Sequence, residues 1–229
     1  MESQKIIESI ADLKQTLLSI HRTKYNLKDY LWIKSIEESA EYVKPFLSNA
    51  MLFADKTELW NHAFSKRLDN GLCLEFGVFQ GASINYFAQR SPTVNFYGFD
   101  SFEGLAEDWS GHHAVKGRFS LDGKLPPVLP NVSLVKGWFQ DTVPDFLHEH
   151  NENISFIHID CDTYESSKLV LSLLEQKIKS GVVIVFDEYL GYPGWKDGEF
   201  KALSEIREKI GFDYEYLAFA TNQVSIKIK

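Results

Sequence analysis

The chain has 229 residues with 24 basic and 32 acidic side chains, a formal net charge of −8. That length suits one large domain, or one domain with an appendage, and can bury about 70% of its unfolded surface without a disulfide or structural metal. Two cysteines, Cys73 and Cys161, exclude a disulfide scaffold and a Cys-rich zinc module; no apolar run is long enough to span a membrane, and the acidic balance argues against a nucleic-acid coat.

In chain order, Ile6, Ile7, Ile10, Leu13, Leu17 and Leu18 recur at helical spacing over Gln4–Ile20, and further helices are predicted over Leu27–Leu47 and Thr57–Leu68. No glycine precedes Gly71, so residues 1–65 read as an α-helical appendage to a domain over 66–229. It either packs as a cap or dimer partner, or closes as a lid over a site. The start, MESQKIIESIADLK, lacks the basic-then-apolar layout of a signal peptide, which makes a cytoplasmic location the expectation.

Short apolar runs then alternate with amphipathic stretches. Strands are predicted over Leu72–Phe76, Val94–Phe99, Val132–Val135, Ile154–Ile159 and Val182–Phe186, with helices near Ser83–Gln89, Thr142–His150, Tyr164–Ile178 and Phe200–Ile210. Tyr214–Phe219 and Gln223–Ile228 are linked too briefly for a parallel crossover and form an antiparallel hairpin. The pattern predicts a doubly wound, mostly parallel, seven-stranded Rossmann-like α/β sheet. Its terminal hairpin is the pattern of class I methyltransferases. A nicotinamide oxidoreductase is disfavoured by that hairpin and by the missing Gly-x-Gly-x-x-Gly. The long irregular stretch Ser101–Pro130 is the kind that is functional or mobile.

Ligands of parallel sheets bind at the C-terminal strand ends. The first strand runs into Glu75-Phe-Gly77-Val-Phe-Gln-Gly81-Ala-Ser83, where glycines admit a ligand to the backbone; a tight strand-to-helix turn is the plainer reading. The second ends in Asp100-Ser101, and an acid here can bond ribose hydroxyls or cap the next segment. Trp138 follows the third strand, to stack on an adenine or to fill the core. The fourth and fifth strands end in His158-Ile-Asp160-Cys-Asp162 and Asp187-Glu188. Four carboxylates in one crevice are costly unless a cation or protons neutralise them, and an all-oxygen set suits Mg²⁺ or Ca²⁺. Separate caps and turns are the alternative, with Asp162 as the cap of the following helix. His158 is read as structural and left out of the site.

Glu75–Ser83, Tyr97–Gly104, Lys136–Thr142, His158–Asp162 and Val183–Asp187 occur in order, and together they resemble the macrocin O-methyltransferase family of S-adenosylmethionine-dependent enzymes over about residues 71–190. The resemblance implies that Glu75, Gly77, Gly81 and Ser83 hold the methionine part of the donor. It implies that Asp100 takes the ribose hydroxyls and that Ser101 and Trp138 lie at the adenine end. Asp160 would serve both donor and metal, Asp160, Asp187 and Glu188 would bind Mg²⁺, and Asp162 would be the general base. The implied acceptor is a sugar hydroxyl on a small molecule, with neither nucleic acid nor membrane as partner; homo-oligomers are common in the resembled family, but the sequence fixes no oligomeric state. The family usually has Asp-Asp where this chain has Asp187-Glu188. The segment Tyr192–Glu199 also differs and is expected to shape the acceptor pocket. A catechol-type methyltransferase, and a donor- or carbohydrate-binding module without transfer activity, are the rival readings.

Overall fold

The computed structural model describes residues 27–109, 111–112 and 114–229, so the helix expected over Gln4–Ile20 lies outside the described residues. Helix α1 (Leu27–Val43) leads through a 3₁₀ turn at Lys44–Phe46 to a short strand β1 (Met51–Phe53) and helix α2 (Lys56–Ser65), capped by the Asp55 carboxylate. Then follow β2 (Leu72–Phe76), α3 (Ala82–Arg90), β3 (Phe96–Asp100), β4 (Val132–Lys136), α4 (Phe139–Glu149), β5 (Ile154–Ile159), α5 (Tyr164–Leu173), β6 (Val183–Phe186), α6 (Glu199–Ile210), β7 (Tyr214–Ala220) and β8 (Gln223–Ile228).

The strands form one sheet in the order β1-β7-β8-β6-β5-β2-β3-β4. All pairs are parallel except β6 with β8 and β7 with β8, which is the doubly wound sheet with a terminal antiparallel hairpin. Strand β1 makes it eight strands rather than seven. This extra strand is the short apolar run Met51–Phe53 at the sheet edge, three residues that follow a helical stretch and are too few to mark a strand by pattern. Helix α5 also stops at Leu173, short of the predicted Ile178. The chain turns there, and Lys177 bonds the carbonyls of Asn151 and Glu152.

Side chains alternate between two cores because successive strand residues face opposite ways. Leu74, Phe76, Ile157, Ile159, Ile184 and Phe186 face one side, where α4, α5 and α6 pack. Cys73, Phe156, Val183 and Val185 face the other, under Leu59, Trp60 and Ala63 of α2 and Ile84 and Phe87 of α3. Glu75, His158 and Asp187 share the parity of this second face. The register sets Glu75 opposite His158, and His158 opposite Val185 two residues before Asp187. Three ionisable groups are thus brought together by strand pairing alone.

Candidate active site

The C-terminal ends of β2 to β6 open into one cavity of about 760 Å³. Of the residues predicted for the site, Gly77, Ser83, Asp100, Ser101, Trp138, Asp160, Asp162, Asp187 and Glu188 line it. Glu75 and Gly81 do not. Lys56 and Trp60 of α2, and Phe79, line it as well, although nothing in their sequence context marks them.

Gly77 is glycine for a specific reason. A Cβ there would stand 1.8 Å from the Asp160 carbonyl oxygen, and its φ is +88°. The backbones of the β2 turn and the β5 end touch, and Asp160 N–H donates to the Phe76 carbonyl. Gly81 instead holds the left-handed N-cap of α3. Glu75 lies beneath the cavity floor, 3% exposed: one carboxylate oxygen accepts from the Ser83 hydroxyl at 3.0 Å and the other pairs with His158 Nδ1 at 2.8 Å. Asp100 accepts from the N–H groups of Val78, Phe79 and Phe102 at 2.9, 2.8 and 2.7 Å. It ties the β2 turn to the β3 end, and the two N–H donors on Oδ2 and one on Oδ1 leave it acceptor capacity at the cavity wall. Trp138 stands at the N-cap of α4, partly exposed on the cavity wall.

The acidic cluster gathers as the strand ends require. Asp160, Asp162 and Glu188 each offer an oxygen within 4.8 Å of the others, and a second set, His158, Asp160 and Asp187, shares Asp160. Asp162 does not cap α5; Thr163 does, accepting from Ser166 N–H. Asp162 sits instead at φ +64°, a strained left-handed position that turns it toward the cluster. Burial, then the charges of Asp187 and Asp100, push its carboxyl up to about 7. Burial and the Asp187 charge likewise push Asp160 and Glu188 well above the usual carboxylate range. Glu188 Oε2 is buried without a hydrogen-bond partner among the described residues. Crowded carboxylates that resist ionisation and an orphaned oxygen are the signature of a site that a hard divalent cation fits.

His158, read from the sequence as a structural residue outside the site, stands between Glu75 and Asp187 of the acidic cluster. It is fully buried, with Trp60 and Phe87 edge-on at 5.7 Å. Nε2 is 3.7 Å from Asp187 Oδ1, an ion pair too long for a hydrogen bond. Burial opposes its charge, but the Asp187 and Glu75 carboxylates outweigh burial and push its pKa up to about 10. Asp187 is held below the usual range by the same contact despite its burial, and the Gln223 amide donates to it. Register between distant strands, invisible in a linear pattern, makes this triad.

The segment Tyr192–Glu199 corrects an expectation. Tyr192 and Trp195 are 1% exposed and Glu199 is 0% exposed, and none of the three lines the cavity. Tyr42 of α1 packs against Trp195, and Ser39 accepts from Gly191 N–H, so the segment lies between α1 and the sheet.

Residues 74–189 match the family model described as "Methyltransferase domain". The chain belongs to this family of methyltransferases. A relative from Streptomyces olivaceus, 8-demethyl-8-(2,3-dimethoxy-alpha-L-rhamnosyl)-tetracenomycin-C 4'-O-methyltransferase, is 27% identical over 160 residues; the match spans 54% of this chain and 60% of that relative's length. The crystal structure of the calicheamicin methyltransferase CalS11 superposes with a TM-score of 0.59 at 21% identity, over 93% of this chain and 90% of that one. The O-methyltransferase NovP superposes with a TM-score of 0.52 at 20% identity, over 69% and 72%. Both likenesses show the class I methyltransferase fold. Among the described residues, no helix is long and apolar enough to cross a membrane.

Proposed function

We propose that this methyltransferase moves the methyl group of S-adenosylmethionine to a hydroxyl of a sugar or glycosylated small molecule, as a Mg²⁺-dependent enzyme of the macrocin O-methyltransferase type. The observation that carries the reading is the gathering of acidic oxygens on Asp160, with Glu188 and Asp162 on one side and Asp187 on the other, each within 4.8 Å of it, beside a cavity of about 760 Å³. The rhamnosyl tetracenomycin 4'-O-methyltransferase relative supports a sugar hydroxyl as acceptor. Glu188 supports a working cation site, because the longer side chain still joins Asp160 and Asp162.

Asp100, Ser101 and Trp138 line the nucleoside end of the cavity, and Gly77 and Ser83 the methionine end. Asp160, Asp187 and Glu188 would hold the cation. Bound Mg²⁺ supplies Lewis acidity that lowers the pKa of an oxygen it holds. Asp162 takes the proton from the acceptor hydroxyl, its carboxylate lining the cavity beside Asp160 and Glu188. The acceptor oxygen bonds to the methyl carbon as the carbon–sulfur bond breaks, its electron pair staying on sulfur. The cationic donor becomes a neutral thioether. Holding donor and acceptor in line contributes several kcal/mol, up to about 11 where the alignment is best.

The test is a transfer assay with labelled S-adenosylmethionine against nucleotide sugars, glycosylated small molecules and catechols, with chelator and with Mg²⁺ restored. Transfer to a sugar hydroxyl that chelator stops and Mg²⁺ restores is expected. Transfer to catechols alone would replace the acceptor assignment, and transfer indifferent to chelator would remove the cation.

A further inference from the structure

Glu199 is the first residue of α6 and lies ten residues beyond the segment matched by the family model, which ends at 189. Its carboxylate is 0% exposed, an expensive place for a charge. Oε2 reaches back across the core to accept from the Glu188 backbone N–H at 3.0 Å. Oε1 has no hydrogen-bond partner among the described residues. Nothing cationic is paired with it there, so an ion pair does not explain its burial.

The surroundings are built to bring it there. At Gly198 a Cβ would meet the Tyr192 hydroxyl oxygen at 2.1 Å, so only glycine lets that ring lie under the start of α6. Glu199 then emerges directly behind the peptide that joins Asp187 to Glu188. That peptide carries two of the acids proposed as cation ligands: on the Asp187 side the N–H bonds the Ile159 carbonyl and the carboxylate meets Gln223 and His158, whereas the Glu188 N–H is held by Glu199.

We propose that Glu199 is a positioning residue for the cation site. By gripping the Glu188 N–H from behind, it fixes the rotation of the Asp187–Glu188 peptide and so aims the Glu188 carboxylate at Asp160 and Asp162. The inference rests on the proposed function, because it needs that site to take a divalent cation. What matters is the reach of an acceptor oxygen to the Glu188 N–H. Glutamine preserves that reach, whereas aspartate falls one methylene short while keeping the charge.

The experiment is calorimetric titration of Mg²⁺ into the full chain saturated with S-adenosylhomocysteine, for the parent, Glu199→Gln, Glu199→Asp and Glu199→Leu. Loss of an outer-sphere support costs about ten- to a hundred-fold in metal affinity. Glu199→Gln is expected to bind Mg²⁺ within about three-fold of the parent, and Glu199→Asp about ten-fold or more weaker, with S-adenosylhomocysteine affinity unchanged in both. Glu199→Leu should follow Glu199→Asp if it folds; the Gln and Asp pair decides the matter if it does not. Equal Mg²⁺ affinity in parent and Glu199→Asp overturns the inference while leaving the site intact. A strong Asp variant with a weak Gln variant overturns it too, since charge rather than reach would then matter. A parent that binds no Mg²⁺ overturns the proposed cation dependence, and this inference with it.

Discussion

His158 gives the sharpest test of how this fold holds its site. It forms a buried ion pair with Glu75 at 2.8 Å, the two side chains being 0% and 3% exposed. At an effective dielectric of about 20, Coulomb's law puts their attraction at about 6 kcal/mol. Desolvation takes back part of this, but removing one partner of such a pair strands the other and costs about 3–5 kcal/mol. Against its burial, the Asp187 and Glu75 carboxylates push His158 up to about 10, while burial pushes Glu75 above the usual carboxylate range, so the pair contributes less than the Coulomb attraction alone. Because the folded pKa lies above the unfolded one, this stabilisation is fully present below pH 6.5. It is lost as pH rises toward about 10.

His158→Leu is therefore expected to lose about 3–5 kcal/mol in chelator at pH 6.5, read by urea unfolding. For a chain of this size that lowers Tm by about 6–20 °C. His158→Gln keeps hydrogen bonds without the charge and should flatten the decline in stability between pH 6.5 and 10. A His158→Leu protein as stable as the parent to within about 0.5 kcal/mol, or a His158→Gln protein with the parent's pH slope, would refute a buried imidazolium between Glu75 and Asp187.

Three further outcomes follow from the same geometry. Asp162→Asn is nearly isosteric and cannot take a proton, so methyl transfer should fall by about 10²–10⁴ while calorimetric affinity for S-adenosylhomocysteine holds; unchanged turnover sinks the base assignment. Gly77→Ala drives a Cβ into the Asp160 carbonyl and should cost about 3 kcal/mol or more, whereas Gly81→Ala meets only the Asn85 side chain at 3.2 Å and should cost about 1–2 kcal/mol for its positive φ; equal losses in thermal melts would contradict the close approach. Trp32 of α1 meets His112 of the Ser101–Pro130 stretch edge-on at 5.9 Å, so residues 1–65 and that loop should both gain hydrogen-exchange protection when S-adenosylhomocysteine binds, and no change in either would remove the lid role.

The strands of the sheet were legible because β2, β5 and β6 are buried on both faces and read as unbroken apolar runs. The acidic cluster was legible for a related reason. An acid that ends an apolar strand must lie at the strand's C-terminal rim, and parallel neighbours bring such rims together. What stayed hidden depends on facts that a linear pattern does not carry. His158 looks like any strand residue until the register sets it opposite Glu75. Asp162 carried two readings, cap or site, and only the choice of Thr163 as the cap releases it. The segment Tyr192–Glu199 is expected to shape the acceptor pocket because it departs from the resembled family, yet Trp195 packs under Tyr42 of α1 and Tyr192 against Trp109.

Glu199 is the furthest case. Its position at the start of a helix looks like an ordinary acid favoured by the helix dipole, and such acids usually face solvent. Burial reverses that reading. Burial pushes Glu199 well above the usual carboxylate range, and the Glu188 N–H is what its Oε2 holds. The same logic runs through the site. Glu75 lies behind Ser83, His158 behind Trp60 and Glu199 behind Glu188, so three residues that face the cavity are each backed by a buried ionisable side chain that does not line it. Ligand-facing acids are readable from strand ends, but the residues that aim them come from other elements and other faces, and only packing shows which they are.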